Sequence, residues 1–236
     1  MRMKLVLAII ATGVTSVAWA DYQEVRELTL ASGGVSTLSI DAGAGSMDVV
    51  GVAGASEITV TATIEVPGRN DDKARERIES NIVLSLEQDN DKARLKAWFE
   101  NGWGWGDSPY IQLQVSMPAD MNLEIDDGSG SIDIANVRGN VAVDDGSGSL
   151  TMDGVGGAVE IDDGSGSITV REAGGDVYIN DGSGSIDVRG VTGSVTVDDG
   201  SGSIDVSDVD EDLIIVDDGS GGLDFSDIGG RVEKES

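Results

Sequence analysis

The chain has no cysteine and no histidine. That excludes disulfides, thiol nucleophiles, cysteine–histidine zinc sites, haem ligation by either residue and every proton-transfer scheme built on imidazole. Basic residues are scarce: 15 Lys and Arg stand against 44 Asp and Glu, a formal charge of −29. Nucleic acid, heparin-like polyanions and anionic lipid surfaces are therefore excluded as partners, and a cationic partner is the class left open. Aromatics are few as well, with four Trp, three Tyr and two Phe in 236 residues. What remains is an acidic scaffold with 34 glycines, long enough for one large domain or two small ones.

Hydrophobic runs that could span a bilayer are also missing. The apolar stretch from Leu5 to Val17 is short of the ~20 residues a span needs. It follows Arg2 and Lys4 and ends in Ala18-Trp19-Ala20, the small-x-small pattern read before cleavage, with Asp21 and Glu24 directly after. Residues 1–20 read as a signal peptide cut after Ala20, and the mature chain as periplasmic or secreted with no membrane span. An exported chain without disulfides must hold itself together by packing and backbone pairing.

What the sequence does have is a repeat. Asp126-Asp127-Gly128-Ser129-Gly130-Ser131 returns at Asp144, Asp162, Asn180, Asp198 and Asp217, at spacings of 18, 18, 18, 18 and 19 residues. Between the blocks lie apolar-x-apolar triplets such as Val141 to Val143, Val159 to Ile161 and Val177 to Ile179. A strand with two inward side chains is not stable alone. Copies stacked ~4.8 Å apart pair every backbone group and fuse those side chains into one core. The sequence therefore predicts an all-β parallel β-solenoid of 18-residue coils. Its inward columns read Ile132, Leu150, Ile168, Ile186, Ile204, Leu223 and Ile134, Met152, Val170, Val188, Val206, Phe225. An antiparallel sandwich of short hairpins would also give regular strands, but it does not explain identical residues recurring at a full coil.

Ile40 to Val49 reads as a degenerate further copy, which places residues 21–66 in the same architecture. Residues 67–118 differ. They predict a short amphipathic helix over 71–80, then longer strands around Ile82–Leu86, Ala93–Trp98 and Tyr110–Val115, forming a helix-plus-strand cap over the first coil. Residues 119–236 carry the solenoid repeats, and the charged run from Arg231 to Glu235 predicts a second cap. Trp98 and Tyr110 are expected in the core.

The lead-in from Met117 to Ile125, followed by repeated Gly-Ser-Gly-Ser-Ile-Asp-Val and x-Val-x-Gly-x-Val-x-Val segments, resembles a family of bacterial envelope β-strand-repeat proteins of unknown function, commonly labelled adhesins. The resemblance covers most of the mature chain and implies a right-handed parallel β-helix. It supplies no catalytic residue.

Two clusters could carry chemistry. Asp127, Asp145, Asp163, Asp181, Asp199 and Asp218 are expected to stack as one column, with Asp126, Asp144, Asp162, Asn180, Asp198 and Asp217 beside it. Neighbouring carboxylates ~4.8 Å apart repel by roughly 1 kcal/mol in bulk water and by more near a protein surface, so something must offset the column. Ca²⁺ held between turns is one reading, because carboxylates, hydroxyls and carbonyls are its ligands. The other is that each Asp accepts hydrogen bonds from the amides that follow it and needs neither metal nor cofactor. The blocks depart from the calcium-binding Gly-Gly-x-Gly-x-Asp pattern, since Ile132, Leu150 or Ile168 stands where the last Asp belongs. The second cluster is Trp103 and Trp105, flanked by Gly102, Gly104 and Gly106, either a sugar- or protein-contact loop or packing over the solenoid end.

Enzyme readings do poorly. Gly-Ser-Gly-Ser is not a nucleophile elbow, and carboxylates repeated identically in every coil lack the divergent pair that acid–base catalysis requires. The sequence predicts a non-catalytic, exported, acidic interaction scaffold of the cell envelope. Its partner would be an envelope protein or a polysaccharide, with carbohydrate binding or processing through Trp103 and Trp105 as the alternative.

Overall fold

A computed structural model describes residues 10–11, 22–66, 72–100 and 108–235. Trp103 and Trp105 lie outside them. So does the expected leader, except for Ile10–Ala11 (β1), which pairs antiparallel with Arg26 and Glu27.

The 18-residue period becomes two parallel sheets facing each other. One sheet stacks β10 (Val141–Asp145), β12 (Val159–Asp163), β14 (Val177–Asp181), β16 (Val195–Asp199), β18 (Leu213–Asp217) and β20 (Val232–Lys234). The other stacks β11 (Gly148–Val155), β13 (Gly166–Ala173), β15 (Gly184–Val191), β17 (Gly202–Val209) and β19 (Gly222–Ile228). The longer β9 (Asn122–Ala135) runs through both sheets and starts the ladder. Every one of these pairings is parallel and, apart from one shift between β16 and β18, in register, Leu150 on Ile168 on Ile186 on Ile204, so the sandwich alternative fails. Ile132, Leu150, Ile168, Ile186 and Ile204 are buried, as are Ile134, Met152, Val170, Val188 and Val206.

The degenerate copy is a true coil. β3 (Thr37–Ala44) and β4 (Met47–Val52) lie directly beneath β9, with Ile40 on Ile125 and Met47 on Ile132. Residues 67–118 do more than cover it. β7 (Lys92–Phe99) and β8 (Tyr110–Pro118) pair parallel with β3 and β4, adding another coil below. After β8 the chain passes over the β3–β4 coil to begin β9. Antiparallel strands then end the stack: β5 (Glu57–Val66) on β8, β2 (Tyr22–Ala31) on β5, and β6 (Ile82–Asp89) on β7. Helix α1 (Asp72–Asn81) buries Ala74 and Ile78, four residues apart on one face.

Two expectations need correction, and a third holds in register but not in burial. Trp98 and Tyr110 are not in the core: they share the outward phase of their strands and are half-buried, because Ala97 and Ile111 take the inward positions. Leu223 and Phe225 do continue the inward columns, Leu223 on Ile204 and packed against the core, Phe225 on Val206. Phe225 is nonetheless 48 % exposed, since among the described residues no coil covers it. The charged segment after Arg231 is no cap. It includes β20, an exposed continuation of the β18 sheet.

At one corner the glycine turns permit the stacking. Gly148, Gly166 and Gly184 sit at φ of 150 to 155°, and a Cβ on Gly166 would lie 1.5 Å from the Gly148 carbonyl oxygen. At the other corner side chains do the pairing. Asn122 Oδ1 accepts the Asn140 amide, Asn140 Oδ1 the Ala158 amide and Asp176 Oδ1 the Ser194 amide, each one coil on. We expect Gly166→Ala to cost more than ~3 kcal/mol in urea unfolding, because both backbone conformation and space forbid it. Gly222→Ala, with nothing within 4 Å of its would-be Cβ, should stay within ~0.5 kcal/mol.

Candidate functional site

The two acidic columns separate cleanly. Strand alternation carries on past the apolar triplet, so in Val143-Asp144-Asp145 the first Asp points outward and the second inward. Asp127, Asp145, Asp163, Asp181 and Asp199 are buried, at 0 to 4 % exposure, stacked one coil apart at the narrow corner where the sheets meet. Asp126, Asp144, Asp162 and Asp198 face solvent or its edge, and Asn180 donates from its amide to Asp162 Oδ1 at 3.3 Å. The column begins above Ala42, which holds the equivalent place beneath Asp127. It ends at the 19-residue spacing, where the extra residue shifts the register between Val197 and Asp198. Past the shift Asp217 lies on Asp198, and Asp218, in the last coil, is half-buried and pairs with Lys234 at 2.6 Å.

Each buried carboxylate is half satisfied. Oδ1 of Asp145, Asp163, Asp181 and Asp199 accepts the amide of the Ser two residues on, at 3.0 to 3.1 Å. Oδ2 of all five has no partner and no solvent. Burial with one oxygen unpartnered disfavours the ionised form of each carboxyl. Burial pushes Asp127 up to about 7, with Asp145 adding to the rise and the Gly128 and Ser129 amides opposing it. Burial raises Asp181 to about 6, against the Ser183 amide and with Asp163 and Asp199 reinforcing. Asp145, Asp163 and Asp199 are raised for the same leading reason. The column is thus a stack of carboxyl groups that take up protons on folding.

Ca²⁺ takes six to eight oxygens. Here Oδ1 is already committed to backbone amides, and among the described residues no three Asp or Glu side chains converge on one point. The sequence missed this division of labour between the two Asp of each block, although counting strand parity through the second Asp would have found it.

The outward side of the β11 sheet carries a second feature. Across β5, β8, β4, β9 and β11 the outward residues line up in two rows, Thr59–Ser116–Val50–Ala135–Asp153 and Thr61–Gln114–Asp48–Asp133–Thr151. They form a trough of about 590 Å³.

These features define the class: a parallel β-solenoid with a buried acid column along one corner. The chain belongs to the family described as Toastrack DUF4097, whose model matches residues 35–227. No curated protein matches the chain. Among solved structures it is similar to a protein of Clostridium sporogenes provisionally described as a cell adhesion protein, at 10% identity over 91% of this chain and 99% of that one, TM-score 0.31. It is also similar to one of Parabacteroides distasonis provisionally described as lipid binding, at 14% identity over 91% and 97%, TM-score 0.37. A Bacteroides fragilis protein provisionally described as an adhesin aligns at 11% identity over 89% and 97%, TM-score 0.35.

The sign of the pH dependence follows from the raised values. The folded column binds protons more tightly than the unfolded chain, so its stabilisation is complete below the unfolded value near 4 and is lost as pH climbs through 6 to 7. The melting midpoint should therefore be higher at pH 5 than at pH 8. Other carboxylates surround the column, namely Asp126, Asp144, Asp162 and Asp198 beside it and Asp217 and Asp218 at its end, and their mutual repulsion acts in the same direction. Asp163→Asn isolates the buried contribution: it keeps the acceptor for Ser165, removes a buried charge, and should add about 1–3 kcal/mol at pH 8 and little at pH 5. Asp162→Asn, on the outer column, relieves only a screened repulsion and should change stability by less than ~0.5 kcal/mol at either pH. Added Ca²⁺ and Mg²⁺ at matched ionic strength should raise the midpoint equally, and a Ca²⁺-specific rise would place an ion in the column.

Proposed function

We propose that this protein is an exported, non-catalytic β-solenoid that serves as a rigid acidic scaffold for contacts in the bacterial cell envelope. The observation that carries this reading is the uniformity of the ladder. The same inward Asp, the same Ser amide and the same orphan oxygen recur in five coils, with no divergent pair of groups to divide acid and base roles. The chain also lacks the His and Cys on which most alternative chemistries rest. Such repetition supplies length and stiffness at about 4.8 Å per coil, with every internal strand paired on both sides. Its outward carboxylates form a long one-sign surface suited to cationic groups on neighbouring molecules. Export is supported by the residue 1–20 pattern.

Fractionation of the producing bacterium tests the proposal. The protein should appear in the periplasm or medium with Asp21 as its first residue. It should bind isolated envelope material at low salt, elute as salt rises, and bind more weakly when Asp126, Asp144, Asp162 and Asp198 are all changed to Asn. A cytoplasmic chain that keeps Met1, or retention indifferent to both salt and those substitutions, would overturn it.

A further inference from the structure

In the trough on the outward side of the β11 sheet the acidic surface acquires an apolar floor. In β4 the outward positions are Asp48, Val50 and Val52, and both valines are 40 % exposed. Higher up the stack the row that holds Val50 and Ala135 becomes Asp153, Arg171, Arg189 and Ser207, which is polar throughout. At the β4 and β9 coils this row is aliphatic instead and lies beside carboxylates.

Those carboxylates are Asp48 and Asp133, register partners on adjacent strands. Like charges placed directly opposite on one face destabilise a sheet, and these two have no basic neighbour in either row. Asp153 differs, because Arg171 lies next to it. The trough lining contains no basic and no aromatic side chain. It offers nothing to a phosphate or sulfate and no ring on which a sugar could stack.

The spacing of the two rows selects the partner. Residues two apart on a strand stand roughly 6.6 Å apart, close to the reach of a lysine side chain. Lysine buries its methylene stem along apolar surface while its ammonium seeks charge. We propose that this trough seats an extended, lysine-bearing segment of a partner protein, one lysine laying its stem over Val50 and Ala135 and placing its ammonium between Asp48 and Asp133. This rests on the acidic-scaffold reading and narrows it to one docking site and one recognition chemistry.

The test is fluorescence anisotropy with a short labelled peptide of alternating Val and Lys, titrated with the full mature chain at low and moderate salt. Asp48→Asn with Asp133→Asn should weaken binding by ~10-fold or more. Asp187→Asn with Asp205→Asn removes the same charge from register partners in the same row without the apolar floor, and should change binding less than ~2-fold. Val50→Ser should also weaken binding. All five positions face outward, and a thermal melt checks that each variant stays folded. Replacing lysine by acetyl-lysine in the peptide should abolish binding. If both Asp pairs weaken binding equally, the docking site is wrong while the acidic scaffold stands. If neither pair nor salt matters, the acidic reading falls with it. Absence of wild-type binding, or full competition by spermidine at the peptide's own dissociation constant, overturns the docked-segment proposal.

Discussion

Stacking in register, one coil on the next, is the constraint on which this molecule depends. A single turn has a handful of inward aliphatics and two rows of unsatisfied backbone groups, so it cannot hold itself together. Once Ile168 lies on Leu150 and under Ile186, the peptide ladders close and the inward residues become a continuous core. Everything that interrupts the register is confined to the ends or the corners. The turn glycines exist because the corner backbone passes too close to the coil below for any Cβ.

The same stacking dictates the electrostatics. A residue that points inward in one coil points inward in all, so a single buried Asp becomes five, each held by its own Ser amide and each left with an orphan oxygen. An isolated buried carboxylate would be a defect. A column of them shifts as a group toward the protonated form, and the protein thereby couples its stability to acidity without a histidine. In the last coil, past the one departure in spacing, Asp218 is half-buried against Lys234 and the column ends.

The ends are unequal for an equally simple reason. Parallel edges template further strands, and the lower end meets this with antiparallel β5, β2 and β6 together with α1. At the upper end Phe225 and Val232 remain exposed. The lower coils are assembled from distant pieces of chain. This is why the outward face there, unlike the regular face above it, has a local character of its own.

The sequence by itself determined the period, the inward columns, the parallel pairing and the acidic corner, because each is written in residues 18 apart and enforced by a rule local to one coil. It also marked Ile40 to Val49 as a coil and located the helix within a residue. What only the tertiary structure decided were relations between segments with no shared repeat. β7 and β8 take places beneath β3 and β4 because those edges were the unpaired ones, not because of any pattern in their own residues. Trp98 faces outward because the neighbouring Ala97 is small enough for the narrow interior. Val50 and Ala135, 85 positions apart in the chain, share a floor only because β4 and β9 are hydrogen-bonded neighbours. Periodicity fixes contacts at the repeat distance, whereas contacts between unlike segments are fixed by which edges and faces remain to be covered.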